Sequence, residues 1–133
     1  MAFDDLSAED LAAASSRVAE DALHSARLLA AEYLVAGPGS SVGDAATAVR
    51  VLLTQDPGDT RYELLQAFEK PWAALTIRIL APVADPTPAM QDARDRGVTA
   101  GKIAEALGVS QQALYQNPRY ADIVRRPRRN SET

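Results

Sequence analysis

From Ala8 to Ala36 the chain holds an unbroken helical pattern, and Gly37-Pro38-Gly39 stops it firmly. This run commits the fold to helix packing. Ser7 is placed to cap it, and Asp10 stands three residues on in a capping-box-like arrangement. Leu11, Val18, Ala22, Leu29 and Tyr33 share one side at helical spacing, and Leu23, Ala26, Ala30 and Leu34 widen that stripe. Hydrophobic residues make up 47% of the chain, and much of that fraction is alanine. The core is therefore expected to form from closely approaching helices rather than bulky layers. Aromatic residues are only 5% and β-branched residues are sparse, which favours an all-α protein.

Glycine and proline divide the remainder. The spacing predicts a second helix from about Val42 to Gln55, with Ser41 and Asp44 repeating the cap pattern and Val42, Ala46, Val49 and Leu53 facing inward. Asp56-Pro57-Gly58-Asp59 is a turn. Thr60 and Glu63 make a capping box for a third helix that points Leu64, Leu65 and Phe68 inward. Pro71 ends or kinks that helix, or starts the next one at its first turn. "PWAALTIRIL" reads as a helix with Trp72, Leu75 and Ile79 on one face. Its "LTIRIL" core has strand character too, but no partner strand is visible elsewhere.

"APVADPTP", residues 81–88, carries three prolines and is the strongest boundary in the chain. Thr87 followed by Pro88 suits a helix start, as cap and then first turn. The pattern beyond it predicts a helix from Pro88 to about Arg96, one capped by Thr99 and ending at Gly108, and one capped by Ser110 and ending near Asn117. A last short helix is expected around Arg119–Arg126, with Tyr120, Ile123 and Val124 on its apolar side. The expected architecture is all-α in two parts, a helical module over 1–84 and a tri-helical unit with a basic tail over 85–133.

Several function classes drop out. The chain has no cysteine, which excludes disulfides and thiolate metal sites and points to a reducing compartment. "MAFDDLSAED" lacks the basic-then-apolar order of a signal peptide, and no apolar run approaches the roughly 20 residues that span a bilayer. A cytoplasmic protein without a membrane partner is expected. His24 is the single histidine and is expected on a helix surface. Asp4, Asp5, Glu9 and Asp10 cluster at a helix N-terminus, where negative charge is stabilising, rather than forming a catalytic pair. Ser15-Ser16 and Ser40-Ser41 have no base partner for nucleophilic work, and there is no phosphate-cradling glycine loop. Trp72 is expected as a core anchor. No catalytic residue, metal or cofactor is expected, and the protein is not expected to be an enzyme.

The net charge of −4 argues at first against nucleic acid, but its distribution reverses that. Residues 1–90 hold 6 basic and 13 acidic side chains, whereas residues 91–133 hold 8 basic and 5 acidic. Much of the basic excess sits in "RRPRR" at 125–129. Only the C-terminal part is therefore an expected phosphate-facing surface. A solvated end is the plainer reading of that tail, although such arms also order on nucleic acid.

The stretch "KIAEALGVSQQALYQ", residues 102–116, carries the most specific signal. Ala104 is small where a second helix would cross closely. Gly108 stands where the chain would leave the first helix with positive φ. Val109 would fill the gap between the helices and Ser110 would cap the second one. Ile103, Leu107 and Leu114 would form the shared core. In that order and spacing these residues resemble the helix-turn-helix of bacterial, plasmid and phage DNA-binding regulators. With the preceding helix the resemblance covers residues of about 88–119, roughly a quarter of the chain. Two features depart from the pattern. Pro118 shortens the second helix to about two turns, and Gly101 inside the first helix costs about 1 kcal/mol relative to alanine.

The resemblance implies double-stranded DNA as partner and gives the exposed residues roles. Gln111, Gln112, Tyr115 and Gln116 face outward when Leu114 faces inward, and glutamine can pair with the adenine edge through two hydrogen bonds. Thr99, Lys102, Ser110, Arg119, Arg125, Arg126, Arg128 and Arg129 would contact phosphates. A sequence-specific regulator of transcription is the expected function. The stripe at 11–34 suggests a homodimer assembled through residues 1–84, which would set two short reading helices on half-sites about 34 Å apart. Two alternatives stay open, a helical protein-interaction adaptor with a structural hairpin and a DNA-organising or partition factor.

Overall fold

A computed structural model of the chain describes residues 5–125. Helix α1 (Ala8–Ala36) begins at the expected capping box: Ser7 Oγ accepts from the Asp10 amide at 3.0 Å, and Asp10 Oδ2 accepts from the Ser7 amide at 3.2 Å. Only its second half packs. Ala26, Ala30, Ala31 and Leu34 are buried, whereas every residue from Ala8 to Asp21 is exposed. The anticipated stripe therefore splits. The flank of Ala26, Ala30 and Leu34 faces the body, while Leu11, Val18, Leu29 and Tyr33 lie in solvent, Tyr33 with 71% exposure. The helix outruns the body, and one flank suffices to meet its neighbours.

A 3-10 turn (Ser40–Val42) precedes α2 (Ala45–Thr54). Gly43, at φ 127°, separates them, so Asp44 rather than Ser41 caps α2, its Oδ1 accepting from the Thr47 amide at 2.9 Å. Packing against α1 and α3 turns Ala48, Val49, Val51 and Leu52 inward and leaves Ala46 and Leu53 exposed. In α3 (Thr60–Leu65) the cap is likewise Asp59 instead of Thr60, its Oδ1 accepting from the Arg61 amide at 2.9 Å. Tyr62 and Leu65 point inward, Leu64 is exposed and Phe68 is half-buried.

"PWAALTIRIL" is helical within α4 (Glu69–Leu80), with Pro71 in its first turn, where the missing amide hydrogen costs nothing. Trp72, Ala73, Thr76, Ile77 and Leu80 are buried, and Leu75 and Ile79 are half-buried. Trp72 anchors the core at 3% exposure and donates its indole N–H to the Arg27 carbonyl at 3.2 Å. His24 is exposed.

Helix α5 (Thr87–Asp95) starts without a side-chain cap of its own. Thr87 does not act as one; its amide and hydroxyl instead donate to the Asp85 carboxylate at 2.9–3.0 Å. Helices α6 (Ala100–Leu107), α7 (Gln111–Gln116) and α8 (Pro118–Arg125) complete the described chain, which is all-α and contains no strand. Pro118 opens α8 rather than merely closing α7, and Asn117 caps it by accepting from the Arg119 amide at 2.9 Å. Ala121 and Val124 are buried and Tyr120 and Ile123 half-buried, on the face expected. Helix α4 packs against α1 on one side and α5 and α6 on the other. Ile77, Leu80, Met90, Ala93, Ile103 and Leu114 thus belong to one hydrophobic cluster that continues across the proline-rich segment. Among the described residues no helix is long and apolar enough to cross a membrane.

Candidate nucleic-acid interface

Local chemistry sets the α6–α7 angle. Thr99 Oγ1 accepts from the Lys102 amide at 3.2 Å and starts α6. At its other end Gly108 takes φ 75°, a left-handed conformation that glycine adopts without steric cost. The Gly108 amide donates to the Glu105 carbonyl at 3.1 Å and the Val109 amide to the Ala104 carbonyl at 3.0 Å, the paired bonds of a Schellman turn. Ser110 Oγ then accepts from the Ala113 amide at 3.0 Å and starts α7. Ile103, Ala104 and Leu114 are buried at 2% exposure or less, and Leu107 is half-buried. Val109 departs from its expected place between the helices. It is 44% exposed, because the turn is closed by backbone hydrogen bonds rather than by a side-chain plug.

With Leu114 inward, Gln111, Gln112 and Gln116 are exposed on α7. Tyr115 is different. It is half-buried, the Arg125 guanidinium lies 5.8 Å from its ring centroid, and Arg125 donates to its carbonyl at 3.4 Å. The ring leans toward α8, which removes much of it from the outward face. Gln111 is turned toward the start of α6, with its Oε1 about where a β-carbon on Gly101 would make ordinary contact, at 3.5 Å.

Thr99, Lys102 and Ser110 are all exposed at the starts of α6 and α7, where unpaired amides favour anions. The two capping hydroxyls accept from backbone amides, and each keeps its own proton to donate. Lys102 lies 3.5 Å from Glu105 in an exposed i,i+3 pair that competes little with a phosphate. Arg119 pairs with Asp85 at 2.8 Å at the surface, its side chain 55% exposed. Burial raises the Asp85 carboxyl, but hydrogen bonds from Thr87 and Arg119 outweigh it and hold the group below the ordinary carboxylate range. Arg125 is engaged with Tyr115. Arg126, Arg128 and Arg129 lie outside the described residues. The structure thus brings the glutamines and the α6 and α7 starts onto one hairpin, while exposed Arg119 and Arg125 lie on α8 beside Asp85 and Tyr115.

The most constrained polar group went unnoticed in the sequence. The Arg96 side chain is 4% exposed and pairs with both Glu69 and Asp92. It also donates to the Leu52 carbonyl at 3.0 Å and lies over the Trp72 ring at 5.1 Å. Tyr62 Oη and Gln55 Nε2 each donate to Glu69 at 2.7 Å. The i,i+4 spacing of Asp92 and Arg96 was the only available signal, and it reads equally well as a solvated pair. Among the described residues no group of acidic or histidine side chains is placed to hold a metal ion. No family model, curated protein or solved structure matches the chain.

Proposed function

We propose that the chain binds double-stranded DNA sequence-specifically through α6 and α7 and acts as a regulator of transcription, as a homodimer assembled through residues 1–84. One observation carries this reading. Gln111, Gln112 and Gln116 are exposed and uncharged on a helix whose inner residue, Leu114, is fully buried. Such groups match adenine edges and do not hold phosphate indiscriminately. Helix α7 has only six residues, about 9 Å, so one copy reads few bases, and a dimer on two half-sites supplies the missing specificity. The residues of the basic tail, with Thr99, Lys102 and Ser110, are assigned to the backbone.

A helical protein-interaction adaptor is the second reading. It is favoured by the pairing of Arg119 with Asp85 and of Arg125 with Tyr115 on the surface beside α8, which leaves Lys102, next to Glu105, as the cation of the α6–α7 hairpin. Selection from random duplexes with the full chain at stated salt separates the two. A reproducible short motif supports DNA reading, and featureless recovery moves the assignment to the adaptor. On the selected site Gln112→Ala is expected to cost about 1–3 kcal/mol and to change little on random DNA. Equal losses on both duplexes remove the base-reading role.

A further inference from the structure

Helix α1 divides at its midpoint. The residue midway between Ala8 and Ala36 is Ala22, and it is there that exposure changes. Residues 8–21 form an arm with no half-buried member, while the remaining half lies along α2 and α4. A helical segment of about 14 residues without tertiary contacts is marginal in water. Yet this arm has a distinct face. Val18, Leu11, Ser15, Ala8, Ala19 and Ala12 occupy one arc about 120° wide at 3.6 residues per turn. Glu9, Asp10, Arg17, Glu20 and Asp21 all fall outside it.

The packed half carries an apolar depression near its C-terminal end. This groove of about 200 Å³ lies between α1 and α4 and is lined by residues that include Ala30, Tyr33, Phe68, Pro71 and Leu75. Exposed Leu29 stands one turn before Tyr33 on the same face of α1. The arm is about 21 Å long and the half from Ala22 to Ala36 about 22 Å, so the one covers the other end to end.

We propose that a second copy of this chain covers both, in an antiparallel pair whose two-fold axis passes at Ala22, so that each arm docks in the partner's α1–α4 groove. This deepens the homodimer reading above and rests on it. The axis sets Leu11 against the partner's Tyr33 and Ser15 against the partner's Leu29, with Val18 about one turn from the axis. Alanine on alanine at the axis lets the two helices approach closely. Ala8, Ala12 and Ala19 lie on the flank turned toward the partner's α4. The arc is wide enough for two helix contacts, which a parallel pair would waste by setting arm on arm and leaving both grooves open. Each chain contributes both its arm and its groove, so every contact is made twice across the two-fold axis.

The chain contains no cysteine, so single cysteines report the register cleanly. Full-length Ala22→Cys is expected to give a covalent dimer with a short bismaleimide. Leu11→Cys and Tyr33→Cys are each expected to stay uncrosslinked alone and to crosslink when mixed and allowed to exchange. Sedimentation without DNA is expected to give a dimer, and Leu11→Asp with Val18→Asp to weaken it about 100-fold or more while the body stays folded. A dimer in which Leu11→Cys crosslinks to itself overturns the antiparallel register but leaves the homodimer standing. A monomer at micromolar concentration overturns both. Neither result touches DNA reading, which the duplex selection tests separately.

Discussion

Arg96 and Glu69, 27 positions apart in the chain, form a buried ion pair that ties the end of α5 to the start of α4. The pair joins the segments on either side of the proline-rich stretch. Asp92, Tyr62, Gln55 and the Leu52 carbonyl complete its hydrogen bonds. Glu69→Ala is expected to lower stability by about 3 kcal/mol, since Arg96 would stay buried with Asp92 as its one remaining carboxylate. Denaturant unfolding checks this. A loss below about 1 kcal/mol would mean that water or a rearranged Asp92 takes over.

Tyr62 gives the same cluster an alkaline signature. Burial, then its bond to Glu69, raises the phenol above its ordinary value of 10.0. A raised folded value contributes stability that is complete below about pH 10 and is lost as pH climbs through the folded value. The parent chain is therefore expected to lose stability above pH 10 more steeply than Tyr62→Phe. Parallel pH profiles of the two proteins would refute the assignment.

Asp85 acts at the acid end. Its depressed carboxyl contributes stability present above the ordinary aspartate value and lost as pH falls through the folded one. Asp85→Asn is expected to flatten the acid limb of the stability curve and to loosen α8 through Arg119. Hydrogen exchange in α8 unchanged by the substitution would show that Ala121 and Val124 hold the helix without the ion pair.

Two glycines of the hairpin are expected to respond oppositely. A β-carbon on Gly101 meets only ordinary contact with Gln111, so Gly101→Ala is expected to stabilise by about 0.5–1 kcal/mol. Gly108 has open space around it but φ 75°, so Gly108→Ala is expected to cost about 1–2 kcal/mol from the backbone alone. Thermal unfolding distinguishes them, and equal signs would contradict the turn geometry.

For DNA, Lys102→Ala is expected to weaken selected and random duplexes alike and to reduce the salt slope by about 1, because it would neutralise one phosphate. A loss confined to the selected duplex would reassign Lys102 to base reading.

Local signals made much of this protein legible. The Ser7 and Asp10 capping box, the Gly37 stop, the Thr99 and Ser110 caps and the left-handed Gly108 all act within a few residues, so sequence spacing determines them. The same locality explains the near misses at α2 and α3. Asp44 and Asp59 compete with Ser41 and Thr60 for the same helix starts, and the φ of Gly43 decides where α2 begins. Periodicity also established that α1 has an apolar face, but not which flank of it would be covered. That choice belongs to α2 and α4, which reach the Ala26 and Ala30 flank and leave Leu11, Val18 and Tyr33 in solvent. Partners distant in the chain decided the rest. Arg96 meets Glu69, Arg119 meets Asp85 and Arg125 meets Tyr115 only after the helices pack. A charged side chain carries no mark in sequence of whether it will face water or a buried partner. Its desolvation and its pairing are both set by neighbours that tertiary structure alone brings together.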